Sequence, residues 1–149
     1  INLGNSGGAL LDSFGRIIGV NSAIATSGAD SGNIGIGYSI PINDAKRVID
    51  ELIATGKSTR PFLGVEFDRT YTGAGAKIFR LTAGEAAEKA GIPVGSIITS
   101  IGGLRIADST AAVVRIRSYA PGSTVSIVVL LPNGSQRTYS VTLGSTPSG

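Results

Sequence analysis

Residues 4–12 read Gly-Asn-Ser-Gly-Gly-Ala-Leu-Leu-Asp, which places one serine between glycines just before a short apolar run. A serine in that setting suits a nucleophile, because a tight turn exposes its hydroxyl and directs backbone N–H groups at an oxyanion. The two donors would be the N–H groups of Gly4 and Ser6. The alternative is an ordinary Gly/Ser turn, which these few residues taken alone favour.

The neighbouring sequence predicts short strands. Residues 16–24 and 34–40 read as strands, with a hairpin turn at residues 12–15 and a Ser/Gly/Asp-rich loop at residues 26–33. Residues 1–40 thus supply only about three strands, and we expect their unpaired edges to be covered by other polypeptide.

A helix and a domain boundary follow these strands. Apolar residues recur at helical spacing over residues 45–53, Asn43 or Asp44 is placed to cap the helix, and Gly56 is placed to end it. Residues 57–61 are polar and end in proline, which predicts the boundary between two domains.

The second segment predicts alternating strands and helices, with residues 144–149 as a frayed tail. Asn133-Gly134 predicts a type I′ hairpin turn, and Asp108 predicts a helix cap. The predicted strands cover residues 62–67, 76–81, 95–102, 124–131 and 136–143, and the predicted helices cover residues 84–91 and the stretch after Asp108.

The composition excludes several functions. The 149 residues include 22 glycines, about twice the usual share of ~7%, which favours short strands and tight turns. With no cysteine and no histidine, the chain builds no disulfide, no thiolate or imidazole metal site, and no histidine base. The net charge of +3 is spread along the chain, which argues against nucleic-acid binding. The chain has no methionine, so we expect it to be part of a longer protein.

Several spaced motifs resemble the HtrA (Deg) family of trypsin-like serine proteases. The motifs that resemble the end of its protease domain are Ile-Asn-x-Gly-Asn-Ser-Gly-Gly-x-Leu-Leu, Gly-x-x-Ile-Gly-Val-Asn and Gly-Ile-Gly-Tyr-x-Ile-Pro. Those that resemble its PDZ domain are Phe62-Leu-Gly-Val65, Ala86-Ala-x-Lys-Ala-Gly-Ile92, Gly95-Ser-Ile-Ile98 and Pro121-Gly122. Leu3 and Ala9 depart from the family, which often has prolines there.

The resemblance implies a mainly β fold with short helices. Residues 1–57 would be the C-terminal part of a trypsin-like β-barrel, which needs six strands in all. Residues 58–145 would be a PDZ domain, a partly open β-barrel or sandwich with two helices. Residues 146–149 would be a tail.

The resemblance also implies catalytic roles. Ser6 would be the nucleophile and Gly4 the second oxyanion amide, while the histidine base and the orienting aspartate would lie upstream of this chain. Without the base we expect the chain alone to be inactive. A serine–lysine dyad is an alternative that no spacing supports; the lysines available are Lys46, Lys57, Lys77 and Lys89. The aliphatic residues Ile34, Ile36 and Ile40 would line the primary specificity pocket, or would simply be inward residues of a barrel strand.

In the PDZ-like part, backbone N–H groups from residues 62–65 would hold a terminal carboxylate, and the next strand would pair with the peptide. The predicted peptide-binding residues are Phe62, Leu63, Gly64, Val65, Val113 and Ile116. Leu63 and Val65 are alternatively core residues. Arg60 is a further candidate near the carboxylate, or a solvated surface arginine.

The sequence therefore predicts the C-terminal part of an HtrA-like serine endopeptidase of protein quality control. Its partners would be polypeptide substrates, peptide C-termini and the missing N-terminal half of the protease domain, with no nucleic acid and no metal or organic cofactor. The resemblance implies a homo-oligomer such as a trimer, and an extracytoplasmic location in the bacterial periplasm or cell envelope. The alternative is a peptide-binding PDZ module without catalytic activity.

Overall fold

The structure is a computed structural model that describes residues 1–2, 4–26 and 33–147. The chain divides into two compact units, residues 1–58 and residues 59–149. The described part contains eleven strands and three helices, which confirms the predicted mainly β class. None of the described helices combines the length and the apolar character needed to cross a membrane. Most of the loop predicted at residues 26–33 lies outside the described residues, as does Leu3.

The first unit contains a three-stranded antiparallel sheet in the order β1-β2-β3. Asp12 forms the predicted turn between the first two strands, because its carboxylate accepts hydrogen bonds from the amides of Phe14 and Arg16, both at 2.9 Å. The elements of this unit are β1 (Ala9–Leu11), β2 (Ile17–Ile24), β3 (Gly37–Pro41) and α1 (Ile42–Thr55).

Helix α1 begins one residue after a proline and has no side-chain cap. The predicted cap at Asn43 or Asp44 is therefore wrong: Pro41 still has extended dihedral angles, and both polar residues already lie in the first helical turn. The predicted end is correct, since the amide of Gly56 donates to the carbonyl oxygen of Leu52 at 2.9 Å.

The described residues of the first unit lack an apolar core of their own. None of their apolar side chains is fully buried, and α1 buries no residue. Ile53 is 80% exposed and Phe14 is 81% exposed. The sheet is open, as expected from a segment with about three strands. Its apolar surface is the kind that another part of a protein normally covers.

The second unit is built on a six-stranded sheet in the order β10-β9-β7-β6-β5, with β8 paired to β7. Strands β4 and β11 form a separate pair. The elements are β4 (Thr59–Phe62), β5 (Val65–Phe67), β6 (Ala76–Leu81), α2 (Ala86–Lys89), β7 (Ile97–Ile101), β8 (Leu104–Arg105), α3 (Ser109–Arg117), β9 (Thr124–Leu130), β10 (Gln136–Thr142) and β11 (Gly144–Pro147).

One apolar core holds this second unit together. The sheet contributes Ile78, Ile98, Ile127 and Val141 to it, all at most 1% exposed, and helix α3 contributes Ile116. Each such side chain contributes roughly 1.5–3 kcal/mol when removed from water. The predicted cap of α3 is correct, since the carboxylate of Asp108 accepts a hydrogen bond from the amide of Ala111 at 2.7 Å.

Two predictions about the second unit were wrong. The strand predicted over residues 62–67 is two strands, β4 and β5, separated by Leu63 and Gly64. The tail predicted from residue 146, and the fraying predicted from residue 144, are replaced by β11, which pairs along β4 with Gly144 opposite Phe62. The open edge of β4 offers backbone hydrogen bonds to residues 144–147, which explains why these residues form a strand.

Candidate functional site

The loop that carries Ser6 is closed by hydrogen bonds within itself. The Asn5 amide donates to the Asn2 carbonyl oxygen at 3.1 Å, and the Asn2 amide donates to the Asn5 side-chain oxygen at 2.8 Å. The amide of Gly8 then donates to the carbonyl oxygen of Asn5 at 3.0 Å. Ser6 lies inside this closed turn and remains exposed.

Asn21 on β2 anchors the same loop. Its carbonyl oxygen accepts from the Gly7 amide at 2.8 Å, and its amide donates to the Gly8 carbonyl oxygen at 2.9 Å. Asn21 is only 8% exposed, and its side-chain oxygen accepts a hydrogen bond from the Ser39 hydroxyl at 2.9 Å. This role of Asn21 was not predicted; the available signal in the sequence was an asparagine two residues after Gly19 in the predicted strand.

A β-bulge in β2 gives the serine its hydrogen-bond partner. Asn21 pairs with Ser39 and Ala23 pairs with Tyr38, so Ser22 is an extra residue in the ladder. The hydroxyl of Ser6 donates to the carbonyl oxygen of Ser22 at 3.3 Å. Bulges are common next to active sites, because they redirect backbone groups.

Two amides of the loop that carries Ser6 have no hydrogen-bond acceptor among the described residues. Within the described residues, the backbone N–H groups of Gly4 and Ser6 donate no hydrogen bond, whereas those of Asn5, Gly7 and Gly8 do. Gly4 and Ser6 line the same cavity of about 240 Å³. Two free donors and a hydroxyl at one cavity can bind an oxyanion next to a nucleophile.

The rest of this cavity is lined by β2 and by the start of the described chain. Ile34, Ile36 and Ile40 do not line it, and all three are exposed. Side chains alternate along β3, and because Ser39 faces Asn21, the adjacent Ile40 lies on the other face. The lining residues other than Gly4 and Ser6 are Ile1, Asn2, Ser22, Ala23 and Ile24.

An apolar specificity pocket at this place stays a prediction. The apolar residues that line this cavity in the structure are Ile1, Ala23 and Ile24. Asn33, which the sequence analysis did not single out, ties this wall to the loop before β3. Its side-chain amide donates to the Ile1 carbonyl oxygen, and its side-chain oxygen accepts from the Gly35 amide at 2.8 Å.

A base for Ser6 is absent from the described part of its cavity. The lining includes no lysine, and the ammonium group of Lys46 pairs with Asp50 on α1. The serine–lysine alternative therefore gains no support from these contacts. The described residues also contain no cluster of three or more potential metal ligands.

A second candidate site lies in the second unit, between β5 and α3. A cavity of about 260 Å³ brings together all six predicted peptide-binding residues, with Arg60, Pro61, Phe67, Arg117 and Thr146 beside them; the six are Phe62, Leu63, Gly64, Val65, Val113 and Ile116. Leu63 and Ile116 are 2% and 6% exposed and so belong to the core as well as the cavity wall. Val65 and Val113 are only partly buried.

The turn between β4 and β5 leaves backbone donors unused. The carbonyl oxygen of Leu63 accepts from the Ala87 amide, and that of Gly64 accepts from the Thr82 amide, both at 2.9 Å. The amides of Leu63 and Gly64 donate to no group among the described residues. Because the trans peptide unit directs N–H opposite to C=O, the Gly64 amide points away from Ala87.

The lining of this groove includes uncompensated positive charge. Arg60 and Arg117 both line the cavity and are exposed. Neither forms an ion pair with any described residue. Free amides and two uncompensated guanidinium groups that line one aliphatic groove form an environment that suits a carboxylate.

An aliphatic groove between an edge strand and a helix, closed by a glycine turn, defines a PDZ domain. The chain belongs to the PDZ domain family, whose model matches residues 61–143. It is 48% identical to the serine protease PepD of Mycobacterium tuberculosis over 97% of this chain and 32% of PepD. It is 37% identical to the periplasmic pH-dependent serine endoprotease DegQ of Escherichia coli over 99% of this chain and 34% of DegQ.

Solved structures of serine proteases are also similar to this chain. A structure of the HtrA-type protease AlgW with a decapeptide has a TM-score of 0.62 and 31% identity, covering 100% of this chain and 48% of that one. A serine endoprotease from Yersinia pestis has a TM-score of 0.56 and 30% identity, covering 98% of this chain and 49% of that one. The chain spans about a third of the curated relatives it matches. The predicted resemblance to the HtrA family is confirmed.

Proposed function

We propose that this chain is part of an HtrA-type serine endopeptidase that cleaves exposed polypeptide segments by acyl transfer. The observation that carries the proposal is that Ser6 and Gly4, whose backbone amides are both free, line one cavity. Ser6 attacks the scissile carbonyl, and the two amides stabilise the tetrahedral oxyanion. The base that accepts the hydroxyl proton comes from outside these residues, because the chain contains no histidine.

The PDZ domain binds the C-terminus of a polypeptide in this proposal. The free amides of Leu63 and Gly64 hold the terminal carboxylate, and the edge of β5 pairs with the peptide backbone. The last side chain of the peptide enters the aliphatic groove between Val65 and Val113. This arrangement selects a free C-terminus that ends in an apolar residue.

The setting of the whole protein is extracytoplasmic, in the bacterial periplasm or envelope, since several relatives carry the name periplasmic serine endoprotease. The missing N-terminal half of the protease domain covers the apolar surface of the first unit, and the whole protein assembles as a homo-oligomer such as a trimer. The chemistry described needs no metal or organic cofactor.

A chimera tests the catalytic proposal. In it this chain replaces the matching segment of PepD from Mycobacterium tuberculosis, to which it is 48% identical. We expect the chimera to hydrolyse casein, and the same chimera with Ser6→Ala to lose that activity. A folded chimera without Ser6-dependent hydrolysis would contradict the proposal.

A peptide-binding module without catalysis is the second candidate. The observation that favours it is the contrast between the units: the second has a full core and a complete groove, whereas Ser6 has no base within the described residues. The chimera separates the two candidates, because only the first predicts Ser6-dependent turnover.

A further inference from the structure

The peptide groove continues past the cavity already described. A cavity of about 520 Å³ shares Val65, Phe67 and Val113 with the first and extends it along β5. A third cavity of about 510 Å³ shares Glu66, Phe67 and Arg69 with the second. We name this last region the outer trough; the residues that line it are Glu66, Phe67, Asp68, Arg69, Thr70 and Phe79.

Strand geometry indicates which residues of a bound peptide reach the outer trough. Strand β5 is at the edge of its sheet and pairs with β6 on one side. An antiparallel peptide advances by about 3.4 Å per residue, the same rise as β5. If its last residue lies opposite Val65, the residue about four positions upstream lies opposite Arg69.

A bulge in β6 places an aromatic side chain in the outer trough. Glu66 pairs with Arg80 and Phe67 pairs with Ile78, so Phe79 is an extra residue in the ladder. Its side chain is 63% exposed, although a phenylalanine gains most of its stabilisation when it is buried. Phe79 therefore adds an exposed apolar side chain to the outer trough, level with Glu66 and Phe67 along the strand.

The charge of the outer trough is positive after its ion pairs are considered. Both carboxylate oxygens of Glu66 accept hydrogen bonds from the Arg80 guanidinium, at 2.6 and 2.8 Å. The carboxylate of Asp68 lies 3.5 Å from the Lys77 ammonium and accepts a hydrogen bond from the Thr70 hydroxyl. Arg69 is exposed and forms no ion pair with any residue in the described ranges, so its charge is uncompensated.

We propose that the outer trough recognises the part of a bound polypeptide that precedes its last four residues. Arg69 selects an acidic residue about four positions before the C-terminus. The occupant is thus an extended segment of a polypeptide whose C-terminus lies in the groove. This inference rests on the proposed binding of C-termini and adds a specificity that the groove alone does not have.

Peptide titrations of the 149-residue chain by calorimetry test the role of Arg69. Three octapeptides end in the same apolar residue and carry Glu, Gln or Lys four positions before it. We expect the Glu peptide to bind about two- to fivefold more tightly than the Gln peptide at low salt, and the Lys peptide to bind more weakly. High salt should remove the difference, because the pair is exposed.

Three variants make the test specific. Arg69→Gln should give the Glu and Gln peptides equal affinity. Arg105→Gln, which changes an exposed arginine outside these cavities, should keep the preference. Phe79→Ser changes an exposed residue of the outer trough without changing its charge, and should keep the preference for the Glu peptide.

The outcomes separate this inference from the proposed function. Equal affinity for the free and amidated forms of every peptide would overturn the binding of C-termini, and the role of the outer trough with it. A clear preference for the free C-terminus, together with equal affinity for the Glu, Gln and Lys peptides, would overturn the role of the outer trough alone.

Discussion

Gly64 and Glu85 approach so closely that a Cβ atom added to Gly64 would lie 2.2 Å from the Cβ atom of Glu85. Gly64 also has a φ of +77°, which side chains rarely tolerate. Glu85 immediately precedes helix α2, so the glycine lets the turn between β4 and β5 pack against the start of that helix. The same turn exposes the two free amides of the peptide groove.

Gly64→Ala should lower the free energy of unfolding of the chain by about 2–5 kcal/mol, because it adds both a left-handed alanine and a steric overlap. Urea denaturation followed by circular dichroism measures the change. Gly134→Ala is the matched control, since Gly134 has a φ of +83° but open space around its Cβ position. It should cost only about 1–2 kcal/mol. Equal costs at the two positions would contradict the close approach to Glu85.

A peptide that ends in valine should bind the chain with an affinity of about micromolar or weaker, because a short flexible peptide loses conformational freedom on binding. Amidation of its C-terminus should weaken binding about tenfold or more, since the free amides then lose a charged acceptor. A peptide that ends in aspartate should also bind more weakly, because its side chain would enter an aliphatic groove. Fluorescence anisotropy measures all three, and equal affinities would rule out the carboxylate-and-groove arrangement.

The isolated chain should show negligible hydrolysis of casein or of peptide esters. The reason is chemical: loss of the base leaves only the residual catalysis of the oxyanion donors and substrate binding. A long incubation with a labelled casein measures the rate of hydrolysis. Ser6→Ala should leave this background rate unchanged. Turnover that disappears in Ser6→Ala would show that a base is present within the chain.

The carboxyl group of Asp68 should titrate below the ordinary range of an aspartate. The Thr70 hydroxyl and amide donate to it, and the Lys77 charge lies nearby; together they lower its pKa. Because the folded pKa lies below the unfolded one, ionised Asp68 stabilises the fold at higher pH. That contribution is lost as the pH falls through the folded pKa.

Thr70→Val should raise the pKa of Asp68, and carbon NMR of the carboxyl group measures the shift. Asp12 is the internal control, because the Arg16 amide and guanidinium and the Phe14 amide lower its pKa independently of Thr70. An unchanged Asp68 titration in Thr70→Val would show that the hydroxyl does not hold the carboxylate.

Amide hydrogen exchange should be much slower in the core strands of the second unit than in β1, β2 and β3. Ile78, Ile98 and Ile127 are at most 1% exposed, whereas the described residues of the first unit bury no apolar side chain fully. Local opening is easier where few apolar contacts oppose it. Equal protection of the two units would show that residues 1–58 are stable without further polypeptide.

Local patterns predicted the features whose causes lie within a few residues. The cap of α3 at Asp108 and the turn at Asp12 depend on hydrogen bonds to residues two to four positions away. The Asn133-Gly134 turn shows the limit of such patterns. Gly134 has a positive φ, but no non-glycine residue in the described ranges does, so the predicted type I′ turn is wrong. The hairpin closes instead with Leu131 bonded to Ser135, and Pro132 fixes the turn before Asn133.

The sequence by itself determined that Ser6 lies in a glycine turn, that no histidine accompanies it, and that an aliphatic groove follows. Only the tertiary structure decided that Ser22 accepts from Ser6, that Ser22, Ala23 and Ile24 line the cavity of Ser6, and that β11 pairs with β4. These features depend on which distant segments pair and at which residue each ladder bulges. A one-residue change of register moves every following side chain to the opposite face, and no local preference fixes that register.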